Sequence, residues 1–519
     1  MDGSFRLNLV SIATVTTRFL APFAISACVM LSGCFSVGPD YQKPDMSIDA
    51  WSSAVAGHVG GSRPELERWW TGFNDPVLDQ LIERTRTANR DLKIASQRIN
   101  EARAQRGIAR SQLFPAVASA GDYARIRASE SLLVPPPENP SNLFTAGFDA
   151  GWEVDVFGGI RRSVEAADAS VDASIETYRD VLVTLFSETA LNYVEFRTLQ
   201  RRISLANENI GTQAKTVELT KVRFETDLAP KIDLTQATTN YEISRSVVPL
   251  LETQLALAKN RLATLTGGYP GSLDKLLARK RGIPIPRPGY SAGLPADLLR
   301  ARPDIRRAER EFAAQTAQIG VAAADLYPRF VLAGNFSLQS IDGSDFFDAA
   351  SRTYSFGPAF SWQVFSAGRI RSSIKIEESR AEQALLNYEN AVLLAVAEVE
   401  SSMIAIANER RRNGHLNEAV KNATETVGMV LDGYRNDVFD FQRVLDAERT
   451  KFDTEDEAAS SKGDIAKEYI RLYKALGGGT EVEVVAPEEP RTTTSGWLRR
   501  ESNLQGADSP SGDEVPKVD

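Results

Sequence analysis

Few residues in this 519-residue sequence could do catalytic or metal chemistry. The two histidines, His58 and His415, lack neighbours at the spacing of metal ligands, and a histidine on a polar helix is usually just solvated. Five methionines and two cysteines offer no series of sulfur ligands for a soft metal ion. The sequence contains no glycine-rich phosphate loop. We therefore predict no cofactor, no metal site and no catalytic residues, and a protein that is not an enzyme.

Cys34 is the residue that we expect to be modified covalently. It follows an apolar run at 19–31 and the dipeptide Ser-Gly, which is the organisation of a secretory signal. The sequence Leu-Ser-Gly-Cys resembles the cleavage box of bacterial lipoproteins. Residues 1–33 are therefore predicted to be a signal peptide that carries Cys28 away, and Cys34 the lipid-modified (palmitate) first residue of the mature chain. Phe35 follows it in place of Asp, which resembles lipoproteins that are forwarded to the outer membrane.

The composition is that of a chain compatible with water. It is 42% hydrophobic and 25% charged, with a formal net charge of −9. Residues 480–519 hold nine acidic residues against four basic ones, so this tail carries about half of the net charge. We predict that the tail is disordered and acidic. The rest of the chain is nearly balanced and has no basic face for nucleic acid, so no nucleic-acid partner is expected.

Long helices dominate the predicted secondary structure. In two segments, apolar or small residues recur at alternating steps of three and four, which is the heptad pattern of a left-handed coiled coil. At about 1.5 Å per residue, helices over about 76–113 and 368–434 would be about 57 Å and about 100 Å long. Such lengths favour a coiled tube over a compact globule. The heptad positions are Leu78, Leu81, Thr85, Ala88, Leu92, Ala95, Ile99 and Ala102 in the first segment, and Ala381, Leu385, Tyr388, Val392, Ala395, Val399, Ser402 and Ile406 in the second.

Between the helices the hydrophobic period changes to two. Residues 144–156 and 353–364 alternate apolar with polar or small side chains, which predicts strands with one oily face. A clear strand at 328–340 precedes the second of them. The segment 115–127 precedes the first, although Asp122 weakens its pattern. Twelve residues at about 3.3 Å, tilted by about 45°, would span about 28 Å, close to the apolar band of an outer-membrane barrel. The alternative is a soluble sandwich, but the aromatic residues at the strand ends favour the membrane.

Four strands cannot close a barrel by themselves. An unpaired strand edge in lipid leaves backbone amides and carbonyls without hydrogen bonds. Several chains must therefore share one barrel. Two chains would supply eight strands and three would supply twelve, and the sequence pattern does not choose between them.

The chain contains an internal two-fold repeat. The segment GWEVDVFGGIRR at 151–162 returns as FSWQVFSAGRIR at 360–371, and residues 223–237 match 433–447 with an offset of 210. Each half is predicted as helix, hairpin, helix, turn and helix. The predicted domains are the signal peptide 1–33, an N-terminal lipidated segment 34–75, repeat one 76–268 with its hairpin at 115–156, a linker 269–294, repeat two 295–479 with its hairpin at 328–365, and the tail 480–519.

Several stretches, in a fixed order from 34 to 479, resemble the TolC-like outer-membrane efflux proteins and specifically their NodT-type lipoprotein branch. The stretches are Cys34 with VGPDYQKP after it, WWTGFNDPVLDQLI at 69–82, GWEVDVFGG at 151–159, GLPADLLRARPDIRRAE at 293–309 and RLYKALGGG at 471–479.

The resemblance implies an α+β membrane protein that works as a homotrimer. A 12-stranded outer-membrane β-barrel, with four strands from each chain, would continue into a long periplasmic tube of coiled α-helices. The chain would be anchored to outer-membrane lipid at Cys34. The implied partners are a periplasmic adaptor (membrane fusion) protein and an inner-membrane RND pump.

The resemblance also assigns roles to residues at the periplasmic tip. Asp446 matches an acidic position near the closed end of the tube, where three carboxylates about 7 Å apart would repel by roughly 2 kcal/mol per pair at an effective dielectric constant of about 20. Arg443, three residues before Asp446, could neutralise it along the helix. The predicted gate residues are Asp446, Tyr434, Arg435 and Asp437, and the predicted adaptor-contact turns contain Asp227, Leu228, Val438 and Phe439.

The chain departs from the family pattern at these turns. Members commonly have Gly at the positions of Asp227 and Asp437, where a positive φ suits a tight turn. Asp tolerates left-handed geometry better than most residues, so we expect the turns to survive.

Three functions are open at this point. The leading one is the passive exit duct of a tripartite efflux system for drugs or other small molecules. The second is the outer-membrane duct of a type I protein secretion system, which would use the same tube. The third is a periplasmic coiled-coil scaffold, which would have no need for strands with an oily face.

Overall fold

The computed structural model describes residues 36–45, 66–127, 129, 140–286 and 301–480. The predicted signal peptide, Cys34 and the acidic tail beyond residue 480 lie outside the described residues. Within them, long helices are combined with one four-stranded antiparallel sheet, as predicted.

The first half contains a 3₁₀ turn, helices and a hairpin. These elements are the turn Trp69–Phe73, α1 Pro76–Ala88, α2 Arg90–Ser111, β1 Ala116–Ile126, β2 Ser141–Val154, α3 Gly159–Glu225, α4 Lys231–Leu265 and the short α5 Asp274–Leu277. The second half contains α6 Pro303–Ala324, β3 Arg329–Ser340, the 3₁₀ turn Ala349–Ser351, β4 Arg352–Ser361, α7 Arg369–Arg435 and α8 Phe441–Ala475.

Corresponding helices of the two halves have equal lengths. Helices α3 and α7 each have 67 residues, and α4 and α8 each have 35. At about 1.5 Å per residue the two long helices are about 100 Å from end to end. Helix α3 contacts α1, α2, α4, α6 and α8, whereas α7 contacts α6 and α8. The long helices therefore form the framework against which the shorter helices pack.

The predicted heptad positions form the buried seams of these helices. In α7, Ala395, Val399 and their heptad neighbours are buried, and Tyr388, Val392 and Ala395 pack against Ile305 and Ala308 of α6. Leu385 is partly buried at the border of this cluster. Small residues in the seam let the helix backbones approach closely. The period of 3.5 residues keeps the seam facing the neighbouring helix.

One helix prediction is wrong in its continuity. The seam from Leu78 to Ala102 is buried except for Ala88, which is partly buried, but the helix is interrupted at Asn89 instead of running unbroken over 76–113. The Asn89 Oδ1 accepts a hydrogen bond from the amide of Leu92 (3.1 Å), and its Nδ2 donates to the carbonyl of Leu265 (2.9 Å). Because Asn favours helix N-caps over helix interiors, its side chain ends α1 and begins α2.

Two stretches that are far apart in sequence meet in the core. The ring of Trp69 stacks on Tyr473 with centroids 5.3 Å apart, and the ring of Trp70 meets Phe186 edge-on at 5.1 Å. A Cβ on Gly478 would come within 2.9 Å of the Trp69 ring, so only glycine fits there. The WWTGF and RLYKALGGG stretches therefore hold together the beginning and the end of the described part of the chain.

The sheet has the order β1-β2-β3-β4, so β1 and β4 are its edges. Register pairs such as Phe148 with Phe336, and Phe330 with Phe360, place the apolar residues of neighbouring strands on one face. The other face carries Asp122, Asp149 and Glu153 among mostly small or polar residues, with the apolar Ile126, Leu143 and Val331. No strand within the described residues pairs with the outer edge of β1 or of β4.

Helix α7 contains an 18-residue stretch that is apolar enough to cross a membrane by composition, with a mean hydropathy of 1.6. Only 33% of that stretch is buried. In this half of α7, Tyr388 and Val392 face α6, whereas Leu386, Leu393 and Leu394 are more than half exposed. The helix thus has one apolar face in contact with α6 and a second apolar face that the described residues leave uncovered.

Candidate functional site

The two helix pairs α3–α4 and α7–α8 reverse direction in turns of identical design. The amide of Leu228 donates to the carbonyl of Arg223 (2.7 Å), and the amide of Val438 donates to that of Gly433 (2.8 Å). A second hydrogen bond inside each joins the amide of Asp227 to Phe224 and that of Asp437 to Tyr434. Together these bonds form the Schellman motif, which satisfies the last carbonyls of a helix.

Asp227 and Asp437 take the left-handed conformation that this motif demands. Their φ angles are 57° and 59°, where most L-residues are strained and Gly is usual. The exposed side chains of Leu228 and Val438 follow at the tip, 61% and 68% exposed. Phe439 is half-buried and lies against Gly433, so its ring belongs partly to the turn itself.

Arg223 links the two turns and is a residue that the sequence reasoning missed. It lies near the end of α3, with its side chain about one-tenth exposed, and its Nη2 donates to the carboxylate of Asp437. Its Nη1 donates to the carbonyl of Arg435 (3.3 Å), and its guanidinium lies 4.7 Å from the centre of the Tyr434 ring. A single cation from the first repeat therefore holds the turn of the second repeat.

A signal for Arg223 exists in the repeat itself. With the offset of 210 residues, Arg223 corresponds to Gly433 and Ala229 corresponds to Phe439. The two halves thus differ in charge and volume at equivalent positions of otherwise identical turns. Such a break in a repeat marks the place where the halves contact each other.

The predicted pair Tyr434 and Arg435 separates in the structure. Tyr434 is 4% exposed and packs with Phe441, Val444 and Ala237. Burial and the nearby carboxylate of Asp233 raise the pKa of its hydroxyl. Arg435 points to the surface and pairs with Asp432 at 3.1 Å. The backbone carbonyl of Arg435 contacts Arg223. The side chain of Arg435 takes no part in that contact.

Asp446 is exposed on α8, one and a half turns beyond the tip. Its Oδ1 accepts a hydrogen bond from Gln442 Nε2 (3.1 Å). The guanidinium of Arg443 lies over the Phe439 ring, 5.3 Å from its centre, instead of pairing with Asp446. The predicted neutralisation by Arg443 is therefore wrong for this conformation, because Arg443 covers an aromatic ring.

Glu448 is a buried carboxylate next to this region. It is 3% exposed, and its Oε1 accepts a hydrogen bond from Thr216 Oγ1 of α3 (2.6 Å). Its Oε2 has no hydrogen-bond partner among the described residues. Burial raises the pKa of this carboxyl, and this effect exceeds the opposing influence of Thr216 and Lys451.

Within the described residues, no group of three or more His, Cys, Asp or Glu side chains is arranged to hold a metal ion. The candidate site consists of two tight turns, one cation that joins them, and acidic residues close to the tip.

Comparison with known proteins places the chain among bacterial export proteins. The sequence profile described as "Outer membrane efflux protein" matches residues 81–268 and 294–478. The chain is 30% identical over 463 residues to Nodulation protein T of Rhizobium leguminosarum bv. trifolii, covering 89% of this chain and 97% of that protein. It is 30% identical over 464 residues to the toluene efflux pump outer membrane protein TtgI of Pseudomonas putida, covering 88% and 97%.

A solved structure has the same architecture. The outer-membrane channel OprN superposes with a TM-score of 0.80 at 32% sequence identity, covering 86% of this chain and 99% of that chain. The predicted fold, with long helices continuing a small sheet, is thus confirmed.

The turn residues Asp227 and Asp437 give a matched pair for measuring the Arg223 contact. Changing either to Gly relieves left-handed strain of about 1–2 kcal/mol, of which the greater freedom of Gly in the unfolded chain offsets about 0.4–1 kcal/mol. Only Asp437→Gly also removes the carboxylate from Arg223, at a cost of about 1–3 kcal/mol. We expect Asp227→Gly to raise the unfolding midpoint slightly and Asp437→Gly to lower it, measured by circular dichroism in detergent.

The same measurement in an Arg223→Met background supplies the control. There the two glycine variants should change the midpoint equally, because the interaction that distinguishes them is gone. Equal effects of the two variants in the wild-type background would show that the Arg223–Asp437 contact contributes no stability.

Glu448 should make the stability depend on pH. Because its pKa is raised in the folded chain, the folded state holds this proton at pH values where the unfolded chain, with an ordinary Glu pKa of about 4.3, has lost it. The stability that Glu448 provides is therefore complete at low pH and falls as pH rises through the interval between the two pKa values. Glu448→Gln keeps an acceptor for Thr216 and removes the charge.

We expect Glu448→Gln to be more stable than wild type at pH 8, by on the order of 1 kcal/mol, and equal to it at pH 4. Thermal unfolding at both pH values measures this. Glu252→Gln, an exposed position on α4, is the control and should show no such difference. A Glu448→Gln variant that matches wild type at pH 8 would contradict the assignment.

Proposed function

The chain belongs to the outer membrane efflux protein family, and we propose from this premise that it is the outer-membrane channel component of a tripartite RND-type efflux system. It acts as a passive exit duct for drugs or other small molecules. The observation that carries this function is the direct connection of a sheet with one apolar face to helices about 100 Å long. A periplasmic scaffold would have no use for such a sheet.

The efflux role is favoured over type I protein secretion by the relatives. Nodulation protein T and the toluene efflux pump outer membrane protein each match this chain over nearly their whole length. The name of the second describes an efflux pump. The predicted lipoprotein box that ends at Cys34 is a second feature that resembles the NodT-type branch.

We assign the chain to a homotrimer. The unpaired edges of β1 and β4 require partners in lipid, and three copies joined edge to edge give twelve strands. Helix α7 supports the same assembly, since Leu386, Leu393 and Leu394 form an apolar face that a second copy would cover. The apolar face of the sheet then faces lipid, and the face with Asp122, Asp149 and Glu153 lines the lumen.

The periplasmic tip is the place for the adaptor protein and, through it, the inner-membrane pump. Leu228 and Val438 present apolar side chains at the ends of the two turns. In a trimer, Asp227 and Asp437 add six carboxylates around them. An adaptor that combines apolar contacts with basic residues would match this surface.

Arg223 and Asp446 give the tip its closed state. Opening the tube requires the α7–α8 turn to move away from α3, which breaks the contacts of Arg223 with Asp437 and Arg435. Tyr434 is part of the same packing through its contact with the Arg223 guanidinium. Asp446, repeated by three-fold symmetry, adds a ring of like charges that the neighbouring contacts must hold together.

The N-terminal segment supports lipid anchoring of the chain to the outer membrane at Cys34. The amide of Val37 donates to the carbonyl of Phe157 (3.1 Å), and the buried guanidinium of Arg162 donates to the carbonyl of Val37 and to Asp40. Ser36 packs against Gly158, at the junction between β2 and α3. In the sequence, Cys34 precedes this anchored segment by two residues.

A lipid on Cys34 would anchor the chain to the membrane through this N-terminal segment. We expect Cys34→Ser to lose all label in cells fed with radioactive palmitate, because the lipid is attached at this thiol. Cys28→Ser, within the predicted signal peptide, should keep the label. Retention of label in the Cys34 variant would exclude the lipoprotein assignment.

Planar bilayers test the duct itself. Purified protein should form channels with a low closed-state conductance, and Asp446→Ala should raise that conductance and weaken block by cations, because three carboxylates leave the constriction. Asp453→Ala, one heptad farther from the tip on the same face of α8, is the matched control. Absence of any channel activity would contradict the function, and unchanged conductance in the Asp446 variant would contradict the gate assignment alone.

A further inference from the structure

The loop end of the sheet carries a row of polar side chains on its otherwise apolar face. The register pairs Arg125 with Asn142 and Tyr123 with Phe144, which places Arg125 on the same face as these aromatic rings. Arg352 pairs with Leu338, so it shares that face with Tyr354, Phe356 and Phe360. Asn142 and Ser340 occupy the same end of the face on the two central strands.

The charges on the strands are divided between the two faces. Within the four strands, Arg125 and Arg352 are the charged residues of the apolar face, whereas Asp122, Asp149, Glu153 and Arg329 lie on the other face. Arg329 is at the opposite end of the sheet and pairs with Asp325. Both arginines of the apolar face are exposed, and neither forms an ion pair within the described residues.

The two arginines are on the two edge strands. Arg125 is near the end of β1 and Arg352 begins β4. When copies join edge to edge, β4 of one copy lies beside β1 of the next, and the loop ends of both strands meet at the same side of the membrane. Each seam between subunits then brings Arg125 of one copy towards Arg352 of its neighbour.

The distance along the strand sets the depth of these groups. Arg125 is two residues beyond Tyr123, about 7 Å farther along the strand, and Arg352 is two residues beyond Tyr354 on the loop side. Tyrosine rings on a lipid-facing strand mark the boundary of the apolar band. The guanidinium groups thus lie at the level of lipid headgroups, where an arginine on the lipid face costs little.

The helix end of the same face has no such cations. There the Trp152 Nε1 donates to the carbonyl of Leu113 and the Trp362 Nε1 donates to that of Leu326, both at 3.0 Å. These rings give the usual aromatic belt. The cations are therefore confined to one leaflet, the one on the loop side, which faces the cell exterior if the helices enter the periplasm.

We propose that Arg125 and Arg352 form, at each subunit seam, a binding site for the phosphate groups of an outer-leaflet lipid. The proposal rests on the outer-membrane trimer proposed above. Guanidinium groups bind phosphate through paired N–H donors. Because both arginines lie at the level of the lipid headgroups, the phosphate within their reach is that of a membrane lipid. Asn142, whose Oδ1 accepts from the Tyr123 hydroxyl (3.3 Å), is paired with Arg125 in the strand register. A bound lipid would join two subunits.

The test uses the full-length protein in nanodiscs of zwitterionic lipid that contain a small fraction of lipid A bearing two phosphates. The amount of lipid A that remains bound after extraction with mild detergent is measured by mass spectrometry. Wild type should retain it about tenfold better than lipid A without phosphates. The double variant Arg125→Gln with Arg352→Gln should lose that preference, a change of about 1.4 kcal/mol.

Two further variants separate the causes. Arg125→Lys with Arg352→Lys keeps both charges and should retain an intermediate preference, because Lys cannot make the paired contact. Arg84→Gln with Arg103→Gln removes two exposed helix charges and should behave as wild type. If the double glutamine variant retains phosphorylated lipid A as well as wild type does, the site is not there.

Free phosphate is the other possible source of the anion. If millimolar inorganic phosphate displaces lipid A from the wild-type protein, the groups bind free anions and the lipid proposal is overturned. Membrane fractionation of the cells that produce each variant distinguishes a failure of the lipid-binding proposal from a failure of the proposed function. A chain absent from the outer membrane would refute the proposed function, whereas a correctly located trimer without preference for phosphorylated lipid would refute only this inference.

Discussion

The structure depends on one constraint, which is that a strand edge in lipid must be hydrogen-bonded. The chain provides four antiparallel strands with an apolar face and leaves β1 and β4 unpaired along their outer edges. Each unpaired amide or carbonyl in hydrocarbon costs several kcal/mol, so the sheet is complete only when other copies add their strands. Assembly is therefore a condition for the sheet to enter the membrane. Helices α3 and α7 have equal lengths, and so do α4 and α8. The pseudo-symmetry that relates the two hairpins therefore extends through the whole helical part.

The repeat is broken at the two turns, where α3 contacts the α7–α8 pair. Both turns keep the same hydrogen bonds and the same left-handed Asp, but Arg223 and Gly433 differ at equivalent positions, as do Ala229 and Phe439. Gly433 leaves room for the Phe439 ring, and Arg223 reaches across to Asp437. Because Gly433 stands at the position equivalent to Arg223, the first repeat supplies the cation and the second repeat supplies the carboxylate of Asp437 and the carbonyl of Arg435. The asymmetry thus gives the α7–α8 pair a breakable connection to α3.

Much of the fold could be predicted because it follows from periodicity. The heptad steps in α7 and the alternation in β2 are local patterns, and each depends on one face being buried or lipid-facing. The break at Asn89 was missed because a cap inside a continuous heptad seam does not disturb the hydrophobic period. Arg223 was missed for a different reason. Its partners Asp437 and Arg435 are more than 200 residues away in the chain, and a single Arg on a helix usually points to solvent. Tyr434 is buried and Arg435 points to the surface because of the way the helices pack. The spacing of residues in the sequence does not predict this difference.

The distribution of charge indicates what kind of duct the trimer would be. In the proposed trimer the lumen face of the sheet would carry Asp122, Asp149 and Glu153, and the tip would carry Asp227, Asp437 and Asp446, so acidic groups would stand at both ends of the tube. The strand arginines without carboxylate partners are on the lipid face, and Arg329 on the lumen face is paired with Asp325. Rings of carboxylates attract cations and raise the energy of anions in a narrow passage. In the proposed trimer the constriction at the tip would be the narrow passage, so selection by charge would act there. An anionic cargo would have to pass with its charge shielded, or only while the Arg223 contacts are broken and the carboxylates have moved apart.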